Sequence, residues 1–255
     1  MNLRSSTALV TGGAVRIGRA ICLALAERGC NVVVHYHRSA AQAKALCREL
    51  EKKSVRAFVV QGNLGSPAGC ERVIREARRK AGALNILINN AAVFHKDTIE
   101  SMTEDKLLSE LRVNLLAPMA LTRAFACLNQ EQGNREQERV LAKVINLLDR
   151  RITGNDPACV PYVLSKKMLA EFTRSAALEL APRITVNGVA PGAILPPPGR
   201  GAGRVRDLAG RSPLKRQCTP EDVASAIVYL LESDAITGQT LFVDGGQHLL
   251  GAREP

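Results

Sequence analysis

Short apolar runs alternate with helical patterns along the whole chain. The first apolar run, residues 7–10, leads into a pattern in which Ile17, Ile21 and Leu25 recur at the spacing of one helix face. The alternation continues to a last apolar run that begins at Thr240, and no internal repeat interrupts it. Strands that alternate with helices favour a parallel sheet covered by helices on both faces. The sequence therefore predicts an α/β fold, and its 255 residues suit a single domain over 1–255.

The same pattern gives approximate bounds for the remaining elements. Strands are predicted at 31–36, 55–60, 84–88, 144–148, 183–187 and 240–246, and helices at 40–53, 67–81, 103–128, 162–180 and 220–232. Residues 129–139 are polar and predict a solvated linker or a frayed helix end. Residues 195–218 are rich in Pro, Gly and Arg and predict an irregular loop of the kind that often covers a binding site.

Composition narrows the classes of partner. The net charge is +11, but Lys and Arg are spread over many predicted helices, so an anionic small ligand fits as well as a nucleic acid. With no Trp and 3% aromatic residues, the chain lacks the stacking platforms of single-strand binders. We therefore expect a small-molecule substrate and no nucleic-acid partner.

Cysteine and histidine usage points to a metal-free cytoplasmic protein. The seven Cys include no C-x-x-C pair and suggest reduced thiols. His35 and His37 fall on one face of a predicted strand without a Cys or carboxylate cluster, which is a weak metal signal. No apolar run reaches about 18 residues, so neither a membrane span nor a signal peptide is expected.

A glycine-containing turn joins the first strand to the first helix. It runs from Thr11 to Gly18, with Gly12 and Gly13 near its start. Backbone amides in such a turn can approach a pyrophosphate, and the following helix N-terminus favours the negative charge. The spacing is not G-x-G-x-x-G, so an ordinary tight turn between strand and helix is the alternative.

The end of the second strand indicates which dinucleotide would bind. An NAD enzyme of this type places an acidic residue there for the ribose hydroxyls. This chain instead has Arg38 followed by Ser39, and Arg16 lies in the glycine turn. Guanidinium groups and a hydroxyl suit a 2′-phosphate, so the sequence predicts NADPH. The alternative is a pair of solvated surface arginines.

Tyr162 and Lys166 open the helical pattern that follows the strand at 144–148. Being four residues apart, they share one helix face. A phenol has a pKa of about 10, and a neighbouring ammonium group would lower it. Tyr162 would then exchange a proton near neutral pH. Y-x-x-x-K also occurs by chance in many helices, so the pair needs support from elsewhere.

Taken together, the motifs resemble the short-chain dehydrogenase/reductase family over nearly the full length. They are T-G-x-x-x-x-x-G at 11–18, N-N-A-A at 89–92, Asn114, Tyr162 with Lys166, P-G at 191–192 and V-D-G-G at 243–246. The resemblance implies a doubly wound, Rossmann-type sheet of seven strands in the order 3-2-1-4-5-6-7, usually in a homotetramer. It also implies hydride transfer between a nicotinamide and a carbonyl, imine or alcohol, with Tyr162 as proton donor and Asn114 and Lys166 beside it. The cofactor contacts that it implies are Gly12, Arg16, Ile17, Gly18, His37, Arg38, Ser39, Asn63, Leu64, Asn90, Ala91, Tyr162, Lys166, Pro191, Gly192 and Ile194.

Departures from the general family resemble its pteridine reductase branch. The family usually has glycine at the position of Arg16, and a catalytic serine where this chain has Asp149. The segment H-Y-H-R-S at 35–39 and Phe94 after N-N-A-A also resemble that branch. The resemblance implies NADPH, Phe94 stacked on the pterin, and catalysis by Asp149, Tyr162 and Lys166. Asn63 and Ala92 depart from the branch, which often has Asp and Ser there.

The sequence hypothesis is reduction of a dihydropterin, of the dihydrobiopterin, dihydromonapterin or dihydrofolate type, with Phe94, Asp149 and Tyr162 against the substrate. One alternative is a carbonyl reductase of the same family, acting on a 3-oxoacyl thioester or a sugar ketone. The missing serine counts against it, because Thr153 is the only hydroxyl residue between Asp149 and Tyr162. The other alternative is a dinucleotide-binding regulator without turnover. The basic segment 200–216 is either a lid that attracts an anionic substrate tail or a solvated loop.

Overall fold

A parallel sheet of seven strands forms the centre of the computed structural model, which describes residues 1–4, 6–130, 142–195, 210 and 212–250. The strand order is β3-β2-β1-β4-β5-β6-β7, as the family resemblance implies. The strands are β1 Thr7–Val10, β2 Asn31–Tyr36, β3 Ala57–Gln61, β4 Ile86–Asn89, β5 Ala142–Leu147, β6 Ile184–Pro191 and β7 Thr240–Val243. Every neighbouring pair is parallel, which confirms the predicted fold class.

Helices cover both faces of this sheet. They are α1 Arg16–Glu27, α2 Ala40–Glu51, α3 Pro67–Ala81, α4 Glu104–Leu111, α5 Ala117–Gln130, α6 Val160–Leu180 and α7 Pro220–Glu232. The apolar sides of α1, α2 and α7 pack on one face of the sheet, and those of α3, α5 and α6 pack on the other. The five inner strands are almost wholly buried, as expected for a sheet covered on both sides, whereas the edge strands β3 and β7 are half-buried.

Capping residues fix the two helices whose bounds the sequence predicted best. Ser66 accepts a hydrogen bond from the Gly69 amide at the start of α3, with Pro67 in the first turn. Thr219 and Asp222 form a reciprocal capping box at the start of α7. Both signals are local in sequence, so the predicted bounds 67–81 and 220–232 are confirmed.

The predicted continuous helix over 103–128 is interrupted. A π-helical turn, Arg112–Leu116, separates α4 from α5 and contains Asn114. The helical run Glu104–Gln130 is long and apolar enough to qualify as a membrane span by length and composition, yet 44% of its apolar window is buried. Leu121 and Phe125 are fully buried against the sheet, so this run packs as a core helix.

Other differences lie at the ends of the chain's elements. Strand β6 continues to Pro191, beyond the predicted end, because it pairs with β5 on one side and β7 on the other. Short 3-10 turns at Arg150–Thr153 and Gln247–Leu250 were not predicted. Most of the predicted polar linker 129–139 and of the predicted loop 195–218 lies outside the described residues, which omit 131–141, 196–209 and 211.

The topology itself creates a binding edge. Strand β1 lies between β2 and β4, so the chain crosses to opposite sides of the sheet from this point. In open α/β sheets, ligands bind where the carboxyl ends of the strands meet such a crossover. The glycine turn after β1 and the N-N-A-A segment after β4 both lie there.

Candidate active site

The glycine turn packs closely against the segment that follows β4. Gly12 has φ +60°, a conformation that favours glycine, and a Cβ at Gly18 would overlap the carbonyl oxygen of Gly12. The side-chain amide of Asn90 donates to the carbonyl oxygens of Thr11 at 2.8 Å and Gly12 at 3.2 Å. The turn therefore keeps a fixed backbone at the start of α1, where a pyrophosphate would bind.

A buried histidine also holds this turn. The Gly12 amide donates to His35 Nδ1 at 3.1 Å, and His35 Nε2 lies 3.2 Å from the carbonyl oxygen of Gly62. Burial lowers the pKa of His35 to about 4, so the ring is neutral at pH 7, with Nδ1 accepting and Nε2 donating. His37 lies beyond the strand end and is exposed. Both nitrogens of His35 are therefore used in shaping the turn, a role that the sequence prediction missed.

Two adjoining cavities follow the carboxyl edge of the sheet. The larger, of about 690 Å³, is lined on one side by His37, Arg38, Ser39 and Asn63. The second, of about 390 Å³, is lined by Arg16, Ile17, Gly18, Leu64, Asn90 and Ala91. The structure thus brings most of the predicted cofactor residues to one continuous cleft. Five predicted cofactor residues do not line these two cavities: Pro191, Gly192, Ile194, Tyr162 and Lys166. The first three lie at and after the end of β6, where Gly192 packs against Asp244.

Arg16 has an unusual backbone within this cleft. Its φ is +56°, in the left-handed region that glycine adopts without cost. This left-handed backbone conformation explains why the family usually has glycine at this position. Here the turn keeps that conformation with a guanidinium-bearing side chain exposed at the cavity.

Asp149, Tyr162 and Lys166 meet at the carboxyl end of β5. The Tyr162 hydroxyl donates to Asp149 Oδ2 at 3.1 Å. Lys166 Nζ donates to the carbonyl oxygen of Leu147 at 2.6 Å and lies 5.9 Å from the centre of the Tyr162 ring. Both Tyr162 and Lys166 are buried on the inner face of α6. The predicted catalytic residues thus share one site, with Asp149 in direct contact with the phenol.

The expected lowering of the Tyr162 pKa by Lys166 was wrong for this arrangement. Burial raises the pKa of Tyr162 well above its ordinary value, and the Asp149 carboxylate raises it further. Burial lowers the pKa of Lys166 to about 8. Sequence spacing shows that two residues share a face, but it does not show how far water is excluded from them. Tyr162 is therefore held protonated, as a proton donor requires.

Asn114 joins the π-helical turn to the segment after β4. Its amide oxygen accepts from the Val93 amide at 2.9 Å, and its Nδ2 donates to the carbonyl oxygen of Val93 at 2.9 Å and to Ser165 Oγ at 3.1 Å. Through Ser165 it reaches the first turns of α6, close to Tyr162. Asn114 therefore connects the segment after β4 to the helix that carries Tyr162.

A buried carboxylate that the sequence prediction missed completes this network. Glu110 is fully buried, and it accepts from Asn114 Nδ2 at 2.5 Å and from the His95 amide at 2.7 Å. The His95 ring also contacts it, with Nδ1 at 2.9 Å. Burial raises the pKa of Glu110, and the hydrogen bonds oppose that rise. The i, i+4 spacing of Glu110 and Asn114 was a signal in the sequence, but the contact with His95 is tertiary.

Phe94 lies at the protein surface next to Tyr162. Its side chain is 39% exposed, and its ring meets the Tyr162 ring edge to face, with centroids 4.8 Å apart and planes at 87°. A core aromatic would be buried, so this exposure supports a binding role for Phe94. The exposed part of the ring can contact a flat ligand.

The fold and the site define a class: an oxidoreductase built on a Rossmann-type dinucleotide fold. Residues 13–248 match the family model described as enoyl-(acyl carrier protein) reductase. The 3-oxoacyl-[acyl-carrier-protein] reductase FabG of Staphylococcus epidermidis is 33% identical over 96% of this chain and 100% of its own length. The chain belongs to the short-chain dehydrogenase/reductase family.

Solved structures give a second, different resemblance within that family. FolM alternative dihydrofolate reductase 1 from Brucella canis, complexed with NADP, has a TM-score of 0.89 and 31% identity, covering 97% of this chain and 96% of its own. The corresponding protein from Brucella suis, also with NADP, has a TM-score of 0.84 and 32% identity, over 96% and 95%. The FolM structures fit the pteridine reductase-like branch.

Proposed function

We propose that this protein is an NADPH-dependent reductase that converts a dihydropterin to its tetrahydro form. The observation that carries the proposal is the contact between Tyr162 and Asp149, beside the half-exposed ring of Phe94. This arrangement brings a protonated phenol, a carboxylate and an exposed aromatic ring together. It suits a flat heterocycle with a polar edge that must gain a proton.

The cleft fits NADPH. The glycine turn leaves room for close approach at the start of α1, and Arg38 and Ser39 line the cavity at the end of β2, where no acidic residue would repel a 2′-phosphate. The residues that line the second cavity and would surround the pyrophosphate are Gly12, Ile17, Gly18, Asn90 and Ala91. The FolM structures crystallised with NADP support this assignment.

Bound NADPH supplies the hydride. The residues of this chain then have separate roles: Phe94 stacks on the outer face of the pterin, and Tyr162 donates the proton, directly or through water. Asp149 orients the phenol by accepting its hydrogen bond. The carboxylate also favours positive charge on a nearby pterin ring nitrogen. Lys166 holds the end of β5 in place through its hydrogen bond to the Leu147 carbonyl oxygen, and Asn114 holds the start of α6 through its hydrogen bond to Ser165.

A 3-oxoacyl reductase is the second candidate, because the FabG relatives share 33% of their residues with this chain. A ketone reductase of this family uses a serine hydroxyl to hold the carbonyl oxygen. At that position this chain has Asp149, and the hydroxyl of Thr153 donates instead to the carbonyl oxygen of Arg150 at 3.1 Å. The site therefore lacks a free hydroxyl in the expected place. A regulator without turnover would have no use for a buried Tyr162–Asp149 pair, whose burial is costly.

We also propose a soluble, cytoplasmic homotetramer. Four large apolar side chains are exposed on neighbouring helical segments: Leu116 and Met119 at the π-helical turn and α5, and Leu164 and Met168 on α6. Contiguous apolar surface of this kind often marks a protein interface. Light scattering of the wild type and of a Leu164→Glu/Met168→Glu variant would measure the assembly. A variant that keeps the assembly of the wild type would contradict an interface on this face.

The function is tested by following NADPH oxidation with dihydrobiopterin, dihydromonapterin, dihydrofolate and an acetoacetyl thioester. We expect turnover of at least one dihydropterin and little with the thioester. Asp149→Ser is the matched variant, because it restores the hydroxyl typical of ketone reductases; it should lose dihydropterin turnover and gain thioester turnover. A wild type that reduces only the thioester would overturn the proposal.

A further inference from the structure

A single guanidinium lies between two carboxylates next to the catalytic pair. Arg151 Nη1 lies 3.2 and 3.3 Å from the two carboxylate oxygens of Asp149, and its Nε donates to Asp156 Oδ2 at 2.9 Å. The Arg151 backbone amide also donates to Asp149 Oδ1, at 2.9 Å. Among the described residues, Arg151 thus supplies every protein hydrogen bond that the Asp149 carboxylate accepts, apart from that of the Tyr162 hydroxyl.

The three side chains are shielded from solvent. Their exposed fractions are 13% for Asp149, 23% for Arg151 and 21% for Asp156. Ion pairs at this depth are screened less by salt and held more firmly than pairs on the surface. Burial alone would lower the pKa of Arg151, but Asp149 and its other neighbours outweigh it and raise that pKa. The guanidinium therefore stays charged between the two acids.

The second carboxylate anchors this bridge to the helix that carries Tyr162. Asp156 Oδ1 accepts from the Ala158 amide at 3.0 Å, and its carbonyl oxygen accepts from the Cys159 amide at 3.2 Å. Cys159 directly precedes α6. Arg151, on the 3-10 turn that begins after Asp149, therefore ties that turn to the start of α6. The distance between Asp149 and Tyr162 depends on these two segments.

We propose that Arg151, anchored by Asp156, is a positioning residue that holds the Asp149 carboxylate against the hydroxyl of Tyr162. The inference rests on the proposed role of Asp149 and Tyr162 in proton donation. Without the guanidinium, the Asp149 carboxylate would keep only the backbone amide of residue 151 and the Tyr162 hydroxyl as hydrogen-bond donors among the described residues.

The test compares Arg151→Met, Arg151→Lys and Asp156→Asn with a matched control, Arg174→Met. Arg174 lies on α6 in an exposed ion pair with Glu171, away from the site. We expect Arg151→Met to lower kcat by about 10- to 100-fold, the scale of a lost charge-assisted hydrogen bond. The Kd for NADPH should stay unchanged, and Arg151→Lys should recover part of kcat. Arg174→Met should match the wild type.

Chemical rescue separates positioning from folding. Arg151→Ala assayed with millimolar guanidinium chloride should regain activity that the same concentration of sodium chloride does not restore. If Arg151→Met keeps the kcat of the wild type, the proposal is overturned. It is also overturned if kcat, NADPH affinity and Tm fall together with no rescue, because Arg151 would then act only in folding.

A readout without substrate keeps this test independent of the proposed function. The chain has three Tyr and no Trp, so the 13C NMR signal of the Tyr162 Cζ atom can be assigned by comparison with Tyr162→Phe. The signal should shift in the same direction in Arg151→Met and Asp149→Asn, and stay in place in Arg174→Met. If the wild type reduces only the thioester, the dihydropterin proposal fails, and the Arg151 variants are assayed on the thioester. An unmoved signal in Arg151→Met overturns the positioning role whatever the substrate.

Discussion

His35 should make the stability of this protein sensitive to acid. Its ring is 2% exposed, and its two nitrogens serve the backbone of Gly12 and Gly62. Burial, its largest influence, lowers the pKa of the folded state from 6.5 to about 4. Each unit of pKa difference corresponds to about 1.4 kcal/mol, so the full difference corresponds to about 3 kcal/mol.

The sign follows from which state binds the proton. Above about pH 6.5 the ring is neutral in both states, and the stabilisation is complete. As the pH falls from 6.5 to about 4, the unfolded chain takes up the proton and the folded chain does not, so folding stability is lost progressively. Below about pH 4 no further loss arises from this residue.

Urea unfolding followed by circular dichroism, at fixed protein concentration between pH 7.5 and 4, measures the effect. His35→Gln is the matched variant, because its amide can still accept from Gly12 and donate to Gly62 but does not titrate in this range. Carboxylates titrate in both proteins and cancel in the difference. The stability of the wild type relative to the variant should therefore fall by about 3 kcal/mol across the interval. A difference that stays constant with pH would refute the reasoning.

Three further substitutions test the cleft and the site. Tyr162→Phe should lower kcat by about 10²- to 10⁴-fold because the proton donor is lost, while NADPH binding by fluorescence titration stays unchanged; near wild-type turnover would place the donor elsewhere. Phe94→Ala should raise KM for a dihydropterin about 2- to 13-fold, from the loss of about 0.5–1.5 kcal/mol of stacking, with Phe94→Tyr as the control that keeps a ring. An unchanged KM would remove Phe94 from the substrate contact. Arg38→Asp should reverse a preference for NADPH over NADH, because a carboxylate repels the 2′-phosphate and suits the free ribose; equal Kd values for the two cofactors in the wild type would contradict the assignment.

Local signals account for the parts of the fold that the sequence predicted well. The bounds of α3 and α7 follow from caps within four residues of each helix start. The π-helical turn Arg112–Leu116 had no such signal, because it is accompanied by contacts between Asn114 and Val93, which lie far apart in sequence. Strand order came from the family resemblance, since periodicity alone does not distinguish the possible orders.

The active-site residues also differ in whether the sequence could predict their contacts. The position of Asp149, thirteen residues before Tyr162, suggested their meeting, and the contact is present. The pairing of Glu110 with His95 and the bridge made by Arg151 depend on loops that fold back, so spacing did not indicate them. The basic segment 200–216, predicted to be either a lid or a solvated loop, falls mostly on residues that the structure does not describe. Of its cations, Arg216 forms an ion pair with Asp222 at the start of α7 and is already engaged.

If Arg16 binds the 2′-phosphate as predicted, its left-handed backbone means that this protein gives up stability for cofactor recognition. A side chain in that conformation costs on the order of 1 kcal/mol or more relative to glycine. Replacing Arg16 with glycine would relieve that cost and remove one of the two guanidinium groups predicted for the 2′-phosphate. A screen for thermal stability alone would therefore favour the glycine and erode the choice between NADPH and NADH. With that predicted role, selection for stability and selection for cofactor choice would act in opposite directions at this position.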